Sequence, residues 1–184
     1  MYAPERLFHP FRRRAAIAAL SDREPPRSFL VVCHGNICRS PYAAAALRRL
    51  VGGGRSPVIG SAGFIGPPGR LPPPDAIGSA SERGIDLTQH RSRVMTPRDV
   101  RGADLVLVMD GEQQRAICRS FGKDPRDVVA LGDLDPLPVE RRAIRDPLNQ
   151  PRAVFDASYD RIDRCLRALL AALPSATAEV STRG

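Results

Sequence analysis

Tryptophan is missing from the chain, lysine occurs once, and cysteine occurs only four times in 184 residues. Cys33, Cys38, Cys118 and Cys165 are too few and too scattered for the framework of a small disulfide-stapled domain. A reducing, cytoplasmic setting is therefore expected. No apolar run approaches the roughly 20 residues needed to cross a bilayer. The "AAIAAL" near the start is shorter than a signal-peptide core and runs straight into "SDRE", so residues 1–27 read as a basic extension, one helix at most, that stays on the protein. Cys33, His34 and Cys38 lack a second pair at metal-ligand spacing, so neither a zinc site nor any other metal or cofactor is expected.

What the chain does have is 42% hydrophobic residues, enough for one substantial core, and a formal charge of +8 carried almost wholly by arginine. The arginines are spread along the sequence rather than packed into one block. That balance attracts anions, such as phosphate groups, without selecting among them.

Strand and helix signals alternate. "SFLVVC" is a continuous apolar run, and "SPYAAAALRRLV" is rich in helix formers until "GGG" ends it. "SPVIGSAG" predicts a second strand, and the proline-rich "GPPGRLPPP" precedes a helix in "DAIGSASERG" whose start Asp75 marks. "ADLVLVMD" is the clearest buried strand, "GEQQRAICRSFG" the helix after it and "DVVALG" a fourth strand. A long loop rich in proline and charge leads to a last helix in which Phe155, Tyr159, Ile162, Leu166 and Leu169 form one apolar face. "SATAEVSTRG" at the end has too little apolar content to pack, and a disordered tail over 173–184 is expected. The order implies an α/β three-layer sandwich: a central four-stranded parallel sheet in flavodoxin-like order with helices on both faces. Sites in such sheets lie at the carboxyl ends of the strands.

The loop "CHGNICRS" occupies that place. Gly35 is expected to open a backbone path closed to other residues, and Asn36 tolerates positive φ, so the loop can curl into a cradle of amide hydrogens. The helix starting near Ser40 and Pro41 adds its positive end. Arg39 can fork two hydrogen bonds onto an oxyanion. Cys33 faces the centre of this field, which favours the nucleophilic thiolate. Glycine, asparagine and arginine at these offsets have no shared packing purpose. Cys118 and Cys165, each on a helix, read as packing residues, and the "RRR" and "RR" runs as solvated faces.

C-x5-R followed by Ser-Pro, "CHGNICRSP", resembles the phosphate-binding loop of the low-molecular-weight protein tyrosine phosphatases. "GSAGF", "ERGIDLTQHRSRVMT", "ADLVLVMD", "LGDLDP" and "IRDP" follow in that family's order, so the resemblance covers residues 28–172. It implies a phosphatase acting on phosphomonoesters, protein phosphotyrosine first among them, through a phosphocysteine on Cys33. His34, Gly35, Asn36, Ile37, Cys38, Arg39 and Ser40 would hold the phosphate, and Ser40 would donate to the departing thiolate. Asn36, Ser61 and His90 would keep the loop curled. Asp146 in "IRDP" would be the general acid, a role for which Asp133 and Asp135 compete on sequence alone. Cys38 would be either loop packing or a thiol that closes a disulfide with Cys33. A phosphorylated protein or small aryl phosphate is the expected substrate, with phosphate and similar oxyanions as inhibitors.

Two departures stand out. The family usually places an aromatic residue after the catalytic Asp-Pro and a tryptophan after the second strand, whereas this chain has Leu148 and Asn149 and no tryptophan. Phe64 or His34 is left to form a wall. A phosphoarginine-cleaving relative carries threonine where this chain has Ile37, which disfavours that substrate. Arsenate reduction on the same fold needs two further relay cysteines, a spacing that Cys118 and Cys165 lack. A non-catalytic anion or nucleic-acid binder would need neither Cys33 nor Asp146, so nucleic acid is not an expected partner.

Overall fold

All four residues of "LVLV" at 105–108 are buried, because the strand they form has helices on both of its faces. The computed structural model describes residues 3–52 and 57–174. Its strands are β1 (Ser28–Cys33), β2 (Val58–Gly63), β3 (Leu105–Val108) and β4 (Val128–Ala130). They form one parallel sheet in the order β2-β1-β3-β4, as the alternation of strands and helices implies. Side chains alternate between two cores, as a strand period of two requires. Phe29, Val31, Cys33, Leu105 and Leu107 face one core, and Leu30, Val32, Val106 and Val108 the other.

The first core is covered by α1 (Ala3–Ser21), α2 (Arg39–Val51), α3 (Pro74–Glu82) and α6 (Arg152–Ala172). The second is covered by α4 (Pro97–Gly102) and α5 (Gly111–Phe121). Within the first core the Tyr42 and Tyr159 rings stack 3.8 Å apart, joining α2 to α6 directly beneath the end of β1. The inner face of α1 buries Leu20 and His9, and His9 Nε2 donates to the Asp135 carbonyl at 3.0 Å.

One local expectation needs correction, and one helix was not expected. α3 begins at Pro74 with Pro73 as its cap, so Asp75 lies inside the first turn rather than marking the start. Proline suits that position because the first amides of a helix have no partner to lose. α4 went unanticipated, although Thr96 and Asp99 cap each other's backbone amides in a box and Pro97 opens the helix. That signature is readable in "TPRD", but the helix is only six residues long and shows no apolar period. The expected disordered tail falls mostly outside the described residues. Within them, Leu173 packs against the first core.

Candidate active site

β1 ends at Cys33 and α2 begins at Arg39, so the intervening loop lies at the carboxyl edge of the sheet against a helix N-terminus. Asn36 is the residue that bends it. With φ of 53° it occupies the left-handed region, and every polar group on its side chain is engaged. Its Nδ2 donates to Ser40 Oγ at 2.9 Å and to Ser61 Oγ at 3.0 Å. Its Oδ1 accepts from the Arg93 amide at 3.0 Å, and its carbonyl accepts from His90 Nε2 at 2.8 Å. Burial holds the His90 imidazole below its usual pKa, so the neutral ring is favoured with its proton on Nε2.

Gly35 does not do what its identity suggests. Its φ is not positive, and an added Cβ would make only ordinary contacts with Ile37 and Arg70. The glycine that the loop requires is Gly63, at the end of β2. A Cβ there would sit 2.9 Å from both the Gly35 carbonyl carbon and the His34 oxygen. The signal for it was available, since a glycine inside a strand marks close approach of another backbone.

Cys33 is buried at the floor of the site, and Ser40 Oγ donates to its Sγ at 3.1 Å. Above it, Cys33, Cys38, Arg39, Asp146 and Leu148 line one pocket of about 230 Å³, with His34, Ile65 and Arg70 at its rim. That volume suits a phosphoryl group and the end of the side chain carrying it rather than a large cofactor. Among the described residues, the amides of Gly35, Ile37 and Cys38 have no backbone acceptor and remain available to an oxyanion. Arg39 is buried. Its Nη1 donates to the Ile144 carbonyl at 3.0 Å, its Nη2 pairs with Asp146, and its Nε is buried without any partner. A buried donor left open in this way is a place for a ligand oxygen.

Cys38 shares the pocket with Cys33, and burial, aided by the charges of Asp146 and Cys33, pushes its thiol up to about 12. Its carbonyl accepts from the hydroxyl of Tyr159 at 3.2 Å, so α6 holds the loop from below. Sequence reasoning gave Tyr159 only to the apolar face of the last helix. Arg70 was likewise passed over as part of a proline-rich surface loop. Its guanidinium stands at the rim beside Gly35 with no hydrogen bond or ion pair among the described residues.

Asp146 is the one acid of the three candidates that reaches the pocket. Asp133 is held by both guanidinium arms of Arg142 at 2.8 and 2.7 Å, and the fully buried Asp135 pairs with Arg161 and Arg164 at 3.1 Å each. The loop carrying Asp146 is fixed at several points. The Ile144 amide donates to the Met109 carbonyl past the end of β3, Ser158 donates to the Arg145 carbonyl, and Arg161 bonds the carbonyls of Arg141, Arg142 and Ala143. Phe64, one candidate wall, turns into the second core, whereas His34, the other, lines the pocket together with the aliphatic Ile65 and Leu148. Neither Cys118 nor Cys165 lines the pocket, and among the described residues no three His, Cys, Asp or Glu side chains converge as a metal site would require.

A parallel α/β sheet whose first strand delivers a cysteine into an arginine-bearing anion cradle, with a carboxylate across the pocket, defines a cysteine-dependent phosphatase. The family model described as low molecular weight phosphotyrosine protein phosphatase matches residues 28–179. The chain belongs to that family, whose members hydrolyse phosphomonoesters through a phosphocysteine. It is 37% identical over 138 residues to the probable low molecular weight protein-tyrosine-phosphatase EpsP of Ralstonia nicotianae, covering 75% of this chain and 90% of that one. Among solved structures it resembles the tyrosine phosphatase AmsI of Erwinia amylovora, with a TM-score of 0.72 and 29% identity over 82% of this chain and 95% of that one. It also resembles Wzb of Escherichia coli K30 in complex with sulphate, with a TM-score of 0.69 and 30% identity over 77% and 94%. No described helix is long and apolar enough to cross a membrane.

Proposed function

We propose that this chain removes phosphate from phosphotyrosine in proteins, in the cytoplasm, with Cys33 as nucleophile, Arg39 as oxyanion clamp and Asp146 as general acid. The observation that carries these roles is the convergence of the three side chains on one small pocket in which Arg39 Nε is buried and open. The cytoplasmic setting is supported by four cysteines that are all free thiols.

The phosphoryl group enters between the loop amides and Arg39 Nε, sharing with Asp146 a guanidinium that is otherwise paired to it. Cys33 Sγ attacks phosphorus as the bond to the leaving oxygen breaks, and protonated Asp146 gives that oxygen its proton. The same carboxylate then takes a proton from the water that attacks the phosphocysteine. Cys33 leaves as a thiolate stabilised by the Ser40 hydroxyl. Phosphate and similar oxyanions compete for the cradle, as the sulphate complex of the Wzb relative illustrates.

Ile65 and Leu148 offer a substrate ring aliphatic contact, and His34 is the one aromatic side chain in the lining. The free guanidinium of Arg70 then favours phosphotyrosines flanked by acidic residues. The test is hydrolysis of phosphotyrosine peptides in the presence of a chelator. Turnover that persists with chelator, stops with vanadate and is abolished by Cys33→Ser is expected. Full activity in Cys33→Ser would remove Cys33 from the mechanism.

A further inference from the structure

α1 precedes the residues that the family model matches, so its surface is an addition to the phosphatase domain. Its inner face is committed to the protein. His9 and Leu20 are buried, Ala16 and Ile17 pack against the first core, and Arg12 reaches Glu5 and Asp133. Its outer face is bare and apolar: Leu7, Phe8 and Phe11 are 69%, 57% and 73% exposed. At helical spacing these three, together with the exposed Ala15 and Ala18, fall in one sector about 100° wide. Leu137, also exposed, extends the patch from the turn at Pro136–Pro138 that lies against α1.

Arg14 borders this apolar strip, and the exposed Arg6 and the half-buried Arg13 lie further round the helix along the groove; none of the three is paired with a carboxylate among the described residues. Glu140, the one acidic residue lining the groove between α1 and that turn, forms no ion pair with them. Large apolar side chains edged by unpaired arginines on a helix not apolar enough to span are the pattern of a helix that lies in a membrane interface.

We propose that α1 docks this phosphatase on an anionic lipid bilayer, with Leu7, Phe8 and Phe11 in the boundary between headgroups and acyl chains and the exposed Arg14 and Arg6 reaching the lipid phosphates. The charge selects an anionic occupant, and the phenylalanines select a bilayer. A second copy is disfavoured because a two-fold pairing of this face sets the same three arginines against themselves. An acidic peptide lying in the groove would cover Arg6, Arg13 and Leu7, yet leave Phe8 and Phe11, which do not line it, in water.

The test is co-sedimentation of the full chain with vesicles of phosphatidylcholine alone and of phosphatidylcholine mixed equally with phosphatidylglycerol. Binding to the mixed vesicles only, weakening as salt is raised, is expected. Each arginine near an anionic surface contributes about fivefold, so Arg6→Gln with Arg14→Gln weakens binding by about 25-fold. Phe8→Ala with Phe11→Ala weakens it by at least about tenfold. Both double variants retain wild-type turnover of soluble aryl phosphate and wild-type melting, because the substituted residues lie outside the pocket and the core. Equal binding to both vesicle types overturns the proposal, as does undiminished binding of the phenylalanine variant. So does a dimer, or capture of an acidic peptide, that depends on Phe8 and Phe11 while no vesicle binds.

Discussion

Asp146 and Cys38 are the two residues whose roles kinetics can resolve most directly. A phenolate leaving group needs a proton as the bond to phosphorus breaks, and a positioned acid contributes about 10²–10⁴ in rate. An activated nitrophenolate needs it far less. Asp146→Asn should therefore slow phenyl phosphate hydrolysis much more than nitrophenyl phosphate hydrolysis in steady-state assays. Asp133→Asn and Asp135→Asn should leave that ratio unchanged and lower the melting temperature instead, since each removes one partner of a buried ion pair. Cys38 is proposed as the thiol that closes a disulfide with an oxidised Cys33. Mild peroxide should inactivate the enzyme, a thiol reductant should restore it, and mass spectrometry should find the Cys33–Cys38 crosslink. Because the Cys38 thiol is held up near 12, ring closure should accelerate as pH rises through the alkaline range.

At the level of elements, the catalytic loop depends on the seam between α2 and α6. Tyr159→Phe keeps the stacked ring but deletes the hydroxyl that donates to the Cys38 carbonyl. It should cost about 1 kcal/mol in denaturant unfolding and weaken phosphate inhibition, whereas an exposed α6 change such as Arg167→Gln should do neither. This seam also shows where the sequence could be read and where it could not. β1, its loop and α2 were legible because their chemistry is contiguous: an apolar run, then Cys, Gly, Asn and Arg, then helix formers. Tyr159 was not, because a tyrosine at an apolar position of a periodic helix hides what its hydroxyl reaches. Gly63 was readable as a glycine inside a strand but went unread, and Gly35 drew attention that belonged to Asn36 because composition reveals which residue permits a bend and not which one makes it. Asp146 was separable from Asp133 and Asp135 only by family resemblance. In space the separation is plain, since of the three only Asp146 lines the pocket that holds Cys33.

For the molecule as a whole, the half-buried His90 couples stability to pH. Its folded pKa lies below the ordinary value of 6.5, so below that pH the unfolded chain binds more protons than the folded one. The contribution is fully present above about pH 6.5 and is lost as pH falls through the lower folded value. Melting temperature should drop as pH is lowered from 7 through the mildly acidic range, and His90→Gln should flatten that part of the curve.

The bonds that shape the catalytic loop reach across most of the chain. Asn36 is held by residues at 40, 61, 90 and 93, Cys38 by Tyr159, and Arg39 by Ile144 and Asp146. No short contiguous fragment contains all of these contacts, and a chain emerging from the ribosome carries Cys33 long before it carries the helix that holds the loop. The loop around Cys33 thus gains its last hydrogen-bonded support only once α6 has been made, whatever the order in which its nearer contacts form.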